Sequence, residues 1–571
     1  MGLHDSESVA PVAFPDETFV KAFWLRLDYA VPACSGCKLP LPTVTIDDVN
    51  YRKFLLSFSA LLFLIPSYAG ALPPANLPPV PTAVDSITST ELRMHLEFLS
   101  SDELGGRYTL SPSFAIAARY LASHLKAYGF EGGGKDGDFL QHFEVIASKP
   151  DQANSALSLT INGQATNYTF GDFFPAGGVI GEATAPVVFV GHGISSASLH
   201  RDDYADVDVK GKIVLLVPGA PAGIDRSRLD EKEQGEEAAR AHGAIGVIQL
   251  PQERFLQFMR NREFSSRFGG RETVRLARES EGRLPQITLA PELAEKVLDA
   301  LGLSLKDVYS TDKKPQAVSI SAHMVARFQQ TKTMTQNVVG ILKGADPKLR
   351  DEFVAFSAHY DHLQTNSRGE IYHGADDDGS GTTAILTIAH AMAMDPPRRS
   401  VLIIFHAGEE LGLLGSEYNT DYAPAVPLNK IVADFNIDMI GRSKPAGDKA
   451  REDVHLTDAN TVYLVGSNRI SKELHEISEQ TNSEYQKLHL DYYYNDPNNP
   501  EMIYYRSDHW NYAKHGIPVI FYFDGTHVDY HKPTDTIDKI DFAKMTQIAR
   551  LVFETGWRVA SLNHELTKSS N

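Results

Sequence analysis

Cysteine is almost absent from this 571-residue sequence, which contains only Cys34 and Cys37. The two form the motif CSGC, which in isolation suggests a redox pair or half of a metal site. No second cysteine pair accompanies it. We therefore expect neither a four-cysteine metal site nor a disulfide framework.

Long apolar runs are also scarce, and the one near the N-terminus covers residues 51–71, YRKFLLSFSALLFLIPSYAGA. Arg52 and Lys53 precede about a dozen apolar residues that end in Ala-Gly-Ala, the pattern of a signal peptide. The run is too short for a membrane span, so we expect none in the mature chain. Because a signal peptide belongs at the N-terminus, we expect the true start at Val49, from a bacterial GTG codon. The mature protein would then be secreted or periplasmic and free of cysteine.

Basic residues are outnumbered by acidic ones, with 54 Lys and Arg against 73 Asp and Glu, for a net charge of −19. Nucleic-acid binding requires basic patches, so it is not expected. Two hydrolase motifs are missing as well. Without H-E-x-x-H there is no single-helix zincin site. Without G-x-S-x-G there is no serine nucleophile elbow.

The length exceeds that of one compact core, so we expect more than one domain. Residues 1–71 are interpreted as a mis-assigned N-terminal extension plus the signal peptide, and residues 72–88 as a Pro-rich linker. Residues 89–170 and 323–571 are assigned to the main domain. Short β-rich runs between 171 and 322 predict a small inserted domain.

Within this insert, the charged segment 269–283, GGRETVRLARESEGR, is expected to be a solvated loop. In the main domain, apolar residues recur at helical spacing over 89–107 and 111–130.

From residue 336 onward, apolar runs alternate with helical segments in a βαβ rhythm. Five further strands are predicted at 353–359, 400–408, 430–441, 461–467 and 517–525. Such continuously apolar strands indicate a sheet covered on both faces by helices. The expected fold class is α/β, a three-layer αβα sandwich around a mixed, mostly parallel sheet.

Acidic residues and histidines collect just after these strands, in SAHYDHL, HGADDDGSG, HAGEELGLLGS, NIDMIGR and DYHKPTD. Singly, each has an ordinary explanation, since an acid after a strand is commonly a helix cap and a lone histidine is usually structural. Together they place several carboxylates at one rim of the sheet, where their repulsion requires bound cations. Imidazoles and carboxylates without sulfur suit zinc or a related divalent ion.

The order of these motifs resembles peptidase family M28, a family of co-catalytic dizinc exopeptidases. The shared segments also include LSSDELGGR, NVVGIL and SDHWNYAKHGIP, so the resemblance covers most of the mature chain. It implies the zinc exopeptidase fold, two Zn²⁺ or other divalent ions per chain, and peptide substrates. The insert at 171–322 is similar to the protease-associated domain of some members.

The resemblance implies five metal ligands: His359 and Asp438 for one zinc, Glu410 and His531 for the other, and Asp377 as the bridge. Counting the family pattern G-x-x-D-x-x-S-G from Gly374 selects Asp377 among three consecutive aspartates. A cis peptide bond is expected directly after it. Asp361 resembles the carboxylate that fixes the imidazole of His359.

The resemblance also implies that Glu409 is the general base of an aminopeptidase. It would accept a proton as a metal-bridged hydroxide attacks the peptide carbonyl, and then protonate the leaving amine. Tyr530 matches the position of an oxyanion-stabilising tyrosine, although an aromatic residue beside a ligand often only packs. Ser380 is expected to cap the helix that follows the aspartates.

Three alternatives stay open: an M28-type carboxypeptidase, a glutaminyl cyclase-like acyltransferase with one zinc, and a catalytically silent receptor-like protein. Acid-selective carboxypeptidases of the family use arginine patches, for which Arg506 is the nearby candidate. The complete ligand set together with Glu409 favours the two-metal hydrolase over the cyclase and the receptor.

Overall fold

The computed structural model describes residues 77–221, 223–224, 229–253, 256–260, 270–277, 282–497 and 499–569. Apart from Leu77, these residues belong to one compact unit, Pro78–Asn571. The expected signal peptide at 51–71, both cysteines and residues 72–76 of the expected linker lie outside the described residues. Within the described part, no helix is both long enough and apolar enough to cross a membrane.

The strands are, in chain order, β1 (Glu131–Gly132), β2 (Leu140–Pro150), β3 (Ala156–Ile161), β4 (Gln164–Tyr168), β5 (Phe173–Ala176), β6 (Gly181–Phe189), β7 (Ser195–Ser196), β8 (Arg201–Asp202), β9 (Ile213–Leu216), β10 (Gly246–Gln249), β11 (Thr273–Leu276), β12 (Gln286–Leu289), β13 (Gln316–Ala326), β14 (Phe328–Leu342), β15 (Phe353–His359), β16 (Ser400–His406), β17 (Ile431–Ile437), β18 (Thr461–Val465), β19 (His489–Asp491) and β20 (Val519–Phe523). The α-helices are α1 (Ser89–Leu99), α2 (Pro112–Ala127), α3 (Gly235–Ala241), α4 (Leu256–Met259), α5 (Pro291–Asp299), α6 (Leu305–Ser310), α7 (Gly379–Met394), α8 (Leu414–Glu417), α9 (Lys472–Glu484), α10 (His509–Ala513) and α11 (Phe542–Ser561).

The main sheet has the strand order β11-β2-β14-β16-β15-β17-β20-β18-β19, with β1 also paired to β14. Its central strands β16, β15, β17 and β20 are mutually parallel. The flanking pairs β14–β16 and β18–β20 are antiparallel. The chain is therefore an α/β protein with a mixed sheet, as predicted. The sheet is not mostly parallel as expected, because within the described residues its parallel pairs are those of the four central strands and β18–β19, while β1, β2, β11 and β14 pair antiparallel.

Helices cover both faces of the main sheet. On one face Gly556 of α11 lies against the sheet, since a Cβ there would lie 2.3 Å from Phe356 and 3.5 Å from Phe435. On the other face Tyr512 of α10 belongs to a buried cluster with Ala355, Leu402 and Phe521. Adjacent residues of β15, Ala355 and Phe356, thus face opposite layers, as the alternation of side chains along a strand requires.

The two N-terminal helices begin at well-defined caps. Thr88 accepts a hydrogen bond from the backbone N–H of Glu91 at the start of α1. Ser111 caps α2 by accepting from the N–H of Phe114, and Pro112 occupies the first turn. Proline is favourable in the first turn because a backbone N–H at that position would have no partner within the helix, and proline lacks one.

A second sheet has the order β4-β3-β13-β6-β9-β10-β12-β5 and its own core. Strand β2 of the main sheet leads into it, and β13 leads back into β14. The chain leaves and returns at one place, because the N–H of Asp151 donates to the carbonyl oxygen of Arg327 at 2.9 Å. This sheet is thus inserted between two antiparallel neighbours of the main sheet.

The structure differs from the sequence-based boundaries of the insert in two respects. The second sheet already begins at β3, so residues 156–168 lie in it rather than in the main domain. The segment 269–283, expected to be a solvated loop, contains β11, which pairs with β2 of the main sheet. Arg275 of β11 is buried and donates to the hydroxyl of Ser148, so this charged side chain has a hydrogen-bond partner on the neighbouring strand. A protease-associated identity for the insert stays a prediction.

Candidate metal centre and active site

The candidate site lies at the carboxyl ends of the parallel central strands. Strand β15 ends at His359, Glu409 and Glu410 follow β16, and Asp438 follows β17. Because these strands run in the same direction, their carboxyl ends meet at one edge of the sheet, where ligands bind in open α/β sheets. The structure brings together the five residues predicted as metal ligands, His359, Asp377, Glu410, Asp438 and His531.

The first group of side chains surrounds the imidazole of His359. Its Nε2 atom lies 3.4 Å from Oδ1 of Asp377 and 3.5 Å from Oδ1 of Asp438. Oε2 of Glu409 is 3.9 Å from the same nitrogen. The ligand atoms of His359, Glu409 and Asp438 all lie within 4.8 Å of one another.

The second group surrounds the imidazole of His531. Its Nε2 atom lies 3.0 Å from Oε2 of Glu410 and 3.1 Å from Oδ2 of Asp377. The two oxygens of Asp377 therefore face different histidines, Oδ1 toward His359 and Oδ2 toward His531. Asp377 is the side chain common to both groups.

His362 is a site residue to which the sequence reasoning gave no role. Its Nδ1 atom lies 2.7 Å from Oε1 of Glu410 and 3.8 Å from Oδ2 of Asp377. The ring is fully buried. The available signal was a second histidine within the motif AHYDHL, three residues beyond His359.

The chemistry of these side chains fits a pair of divalent cations. Within the described part of the chain, His359 Nε2, Asp377 Oδ2 and Asp438 Oδ1 are buried atoms without a hydrogen-bond partner. Buried polar atoms of this kind are costly unless something compensates them. Carboxylate oxygens and imidazole nitrogens without sulfur suit zinc or a related divalent ion.

The proximity of opposite charges shifts the pKa of several groups. Burial opposes the charged form of His531, but Glu410 and Asp377 together raise its pKa to about 10. Burial likewise opposes ionisation of Asp377, yet His362, His359 and His531 hold its pKa well below the usual range. These shifts show how strongly the side chains interact across the site.

Asp361 supports the site through two hydrogen bonds to its carboxylate. The hydroxyl of Thr109 donates to Oδ2 at 2.7 Å, and the backbone N–H of Glu409 donates to Oδ1 at 3.2 Å. His359 Nδ1 lies 3.2 Å from the backbone carbonyl oxygen of Asp361 and 3.7 Å from its carboxylate. The backbone carbonyl oxygen of Asp361 therefore orients the imidazole of His359, because 3.2 Å is within hydrogen-bond range and 3.7 Å is not. The carboxylate of Asp361 instead fixes the main chain at Glu409.

The loop that carries Asp377 is fixed by hydrogen bonds to its backbone. Oδ2 of Asp535 accepts hydrogen bonds from the backbone N–H groups of Asp376 and Asp377. The peptide bond between Asp377 and Asp378 is cis, as expected from the resemblance. Asp378, and not Ser380 as predicted, caps α7, because its side chain accepts from the N–H of Gly381.

A pocket opens between the carboxylates and an apolar wall. Its polar side includes Glu409, Tyr530 and Arg506. Its apolar lining consists of Met439, Ile503, Phe521 and Phe523. The ring of Tyr530 stacks on that of His531 with 3.9 Å between centroids, and burial raises the pKa of its phenol well above the ordinary value.

Parts of this chain are similar to known proteins. The profile of Peptidase family M28 matches residues 337–556. A probable leucine aminopeptidase of Trichophyton verrucosum is 30% identical over 268 residues, which are 41% of this chain and 67% of that protein. The chain belongs to peptidase family M28.

Two other sequence relatives are matched over less than half of their own length. The probable leucine aminopeptidase 2 of Aspergillus oryzae is 31% identical over 260 residues, 45% of this chain and 42% of that protein. Aminopeptidase YwaD of Bacillus subtilis is 34% identical over 144 residues, and the match spans 25% of this chain and 30% of YwaD. Among solved structures, an aminopeptidase from Aneurinibacillus sp. strain AM-1 aligns over 86% of this chain and 98% of its own, with a TM-score of 0.49 and 20% identity.

Proposed function

We propose that this M28 protein is a metal-dependent aminopeptidase that removes N-terminal residues from peptides. The observation that carries the proposal is the placement of Asp377 between two sets of ligand atoms, with Glu409 beside them at the pocket. The names of the relatives, probable leucine aminopeptidases and an aminopeptidase, support the same reaction class.

In this proposal His359 and Asp438 hold one zinc, Glu410 and His531 hold the other, and Asp377 serves both. The N···O distances of 3.0 to 3.5 Å within each set are those of side chains that converge on a common point. When bound, the two cations supply Lewis acidity, which polarises the peptide carbonyl and acidifies water.

Glu409 accepts the proton of the attacking water and returns it to the leaving amine. Two features support this role. Its backbone N–H donates to the carboxylate of Asp361, and its own carboxylate lines the pocket, with Oε2 3.9 Å from Nε2 of His359.

The hydroxyl of Tyr530 donates a hydrogen bond to the carbonyl oxygen, which becomes negative as the carbonyl carbon is attacked. A phenol with the ordinary tyrosine pKa of about 10 is protonated at neutral pH, as a donor must be. The apolar lining of the pocket would receive the first side chain of the substrate, so we expect a preference for apolar N-terminal residues.

Carboxypeptidase activity is the second candidate, favoured by the presence of Arg506 in the same pocket. A guanidinium is well suited to bind the terminal carboxylate of a peptide. In an aminopeptidase the corresponding terminal group is an amine, which the carboxylates of the site would attract.

Turnover of a substrate panel tests the proposal. The panel consists of aminoacyl substrates with a free amine, N-blocked peptides with a free C-terminus, and peptides with N-terminal glutamine, each measured with and without a chelator. Hydrolysis of the free-amine substrates alone, abolished by chelation and restored by Zn²⁺, is expected. Hydrolysis of blocked peptides would indicate a carboxypeptidase, and cyclisation of glutamine alone a cyclase. Absence of turnover under any metal supplementation would favour a receptor.

Export to the periplasm or the medium is part of the proposal and rests on the signal-like segment 51–71. The measurement is the N-terminal sequence of the protein produced in a bacterial host. Retention of the protein in the cytoplasm, with residues 51–71 still attached, would contradict it.

A further inference from the structure

His362 is held rigidly beside the second group of side chains. Its ring packs against the backbone of Gly374, where a Cβ atom would lie 2.5 Å from Cγ of His362. Gly374 has a φ of +54°, so both its conformation and its missing side chain leave room for the ring. The backbone at His362 is fixed as well, by a β-bridge to Tyr108.

The imidazole of His362 contacts one oxygen of Glu410, while the other oxygen faces His531. Nδ1 of His362 lies 2.7 Å from Oε1, and Nε2 of His531 lies 3.0 Å from Oε2. An ionised carboxylate only accepts hydrogen bonds, so Nδ1 of His362 carries the proton and donates it. The 3.8 Å separation from Asp377 is too long for a hydrogen bond, which makes Glu410 the hydrogen-bonding partner of Nδ1.

We infer that His362 is a positioning residue for Glu410, and the inference rests on the metal site of the proposed function. By holding Oε1, the imidazole directs Oε2 toward His531 and Asp377, the side chains proposed to share a cation with Glu410. Groups that orient a ligand in this way typically strengthen metal binding by about 10- to 100-fold.

Direct coordination by His362 is the competing role, because its ring lies within 4.8 Å of ligand atoms of Asp377 and Glu410. Nδ1 is the ring nitrogen that faces these two carboxylates, and coordination through it would require its lone pair to point at the cation. The 2.7 Å contact with Oε1 instead uses Nδ1 as a donor. The geometry therefore favours the positioning role.

Two polar substitutions distinguish these roles. In His362→Asn the amide nitrogen takes the place of Nδ1 and can still donate to Glu410, whereas in His362→Gln the amide lies farther out, near the position of Nε2. His362→Leu removes the donor altogether. His373→Asn is the matched control, since His373 lies in the neighbouring loop and pairs with Asp102.

The measurement is the affinity for each zinc in the full-length chain, by competition with a chromophoric chelator, together with the visible spectrum of the cobalt-loaded protein. We expect the Leu and Gln variants to bind one of two ions about 10- to 100-fold more weakly than the wild type. The Asn variant should restore binding to within a few-fold of the wild type and keep the wild-type cobalt spectrum. The His373→Asn control should match the wild type.

Several outcomes would overturn the inference. Equal affinities in all variants would exclude a positioning role. A loss in His362→Asn as large as in His362→Leu, with an altered cobalt spectrum, would identify His362 as a ligand. If His362→Leu does not fold, the comparison of Asn with Gln still decides the matter. Failure of the wild type to bind any divalent ion would contradict the proposed function itself, which is a different result from unchanged binding in the variants.

Discussion

Two adjacent glutamates follow strand β16, and their distances from the site histidines indicate different roles. Glu410 lies 3.0 Å from His531, among the proposed ligands, while Glu409 is 3.9 Å from His359 and lines the pocket. We predict that Glu409→Gln retains its metal but lowers kcat by about 100- to 10,000-fold, because an amide cannot accept the proton. Metal content by mass spectrometry and kcat on an aminoacyl substrate check this. A near-normal kcat would remove Glu409 from the role of general base.

For substitution of Asp377 we expect loss of metal rather than its retention, because its two oxygens face the two imidazoles. We predict that Asp377→Ala loses most of its bound metal as well as its activity, since both sets of ligands lose a shared oxygen donor. The measurement is zinc per chain after gel filtration, with Glu409→Gln as the reference that keeps its metal. Full zinc content in Asp377→Ala would show that the two sets bind cations without the proposed bridge.

The five candidate ligands were found from motif order, but the contacts around them were not. The motif AHYDHL does not reveal which ring faces Glu410, since that depends on the backbone bridge from His362 to Tyr108. Nor does it reveal that the backbone of Asp361 lies closer to His359 than its carboxylate. Sequence order identified the residue types, whereas chain packing determined their partners.

Among the elements, the central strands were predicted best because they are continuously apolar. The strand predicted at 353–359 is β15, Phe353–His359. Strand β11 was missed, since its sequence Thr-Val-Arg-Leu is embedded in charged residues and its partner β2 lies far away in the chain. Periodicity reports local burial, and it carries no information on long-range pairing of this kind.

Helices α1 and α2 meet through a buried histidine whose protonation should destabilise the fold. Nδ1 of His95 lies 2.8 Å from the hydroxyl of Tyr120. Burial, with help from His124 and His390, lowers the pKa of His95 from its ordinary 6.5 to about 4. The unfolded chain therefore binds this proton more readily than the folded one. Above pH 6.5 His95 is neutral in both states and does not change the stability with pH. As the pH is lowered from 6.5 to 4, the free energy of unfolding falls by up to about 1.4 kcal/mol per pH unit.

The comparison that checks this is urea unfolding of the wild type and His95→Asn at pH 7.5 and pH 5. The asparagine amide occupies the position of Nδ1 and retains the contact with Tyr120 without titrating. We expect the wild type to lose more free energy of unfolding than the variant on going to pH 5. The exposed His142→Asn variant is the matched control, and identical losses in the wild type and His95→Asn would refute the assignment.

At the scale of the whole molecule, the attachments of the inserted segment include a hairpin position, the added strand β11, and a hydrogen bond from Gln330 to the carbonyl oxygen of Gly178. Asp151 and Arg327 are joined by a backbone hydrogen bond of 2.9 Å, so a two-residue Asn-Gly turn can replace residues 152–326 between them. The proposed ligands and Glu409 all lie outside that range. We predict that the shortened chain folds and binds as much zinc per chain as the full-length protein.

The shortened chain should nevertheless associate, because it lacks β11 and exposes the backbone of β2 at a sheet edge. Ile146 of β2, which pairs with Arg275 in the intact protein, would then lie on that edge. Adding Ile146→Lys to the shortened chain should restore the monomer, since a charged side chain on an edge strand opposes pairing with another copy. Zinc content and analytical ultracentrifugation of the two shortened forms provide the measurement. An unfolded, metal-free product in both would mean that the main sheet depends on the inserted domain for its own stability.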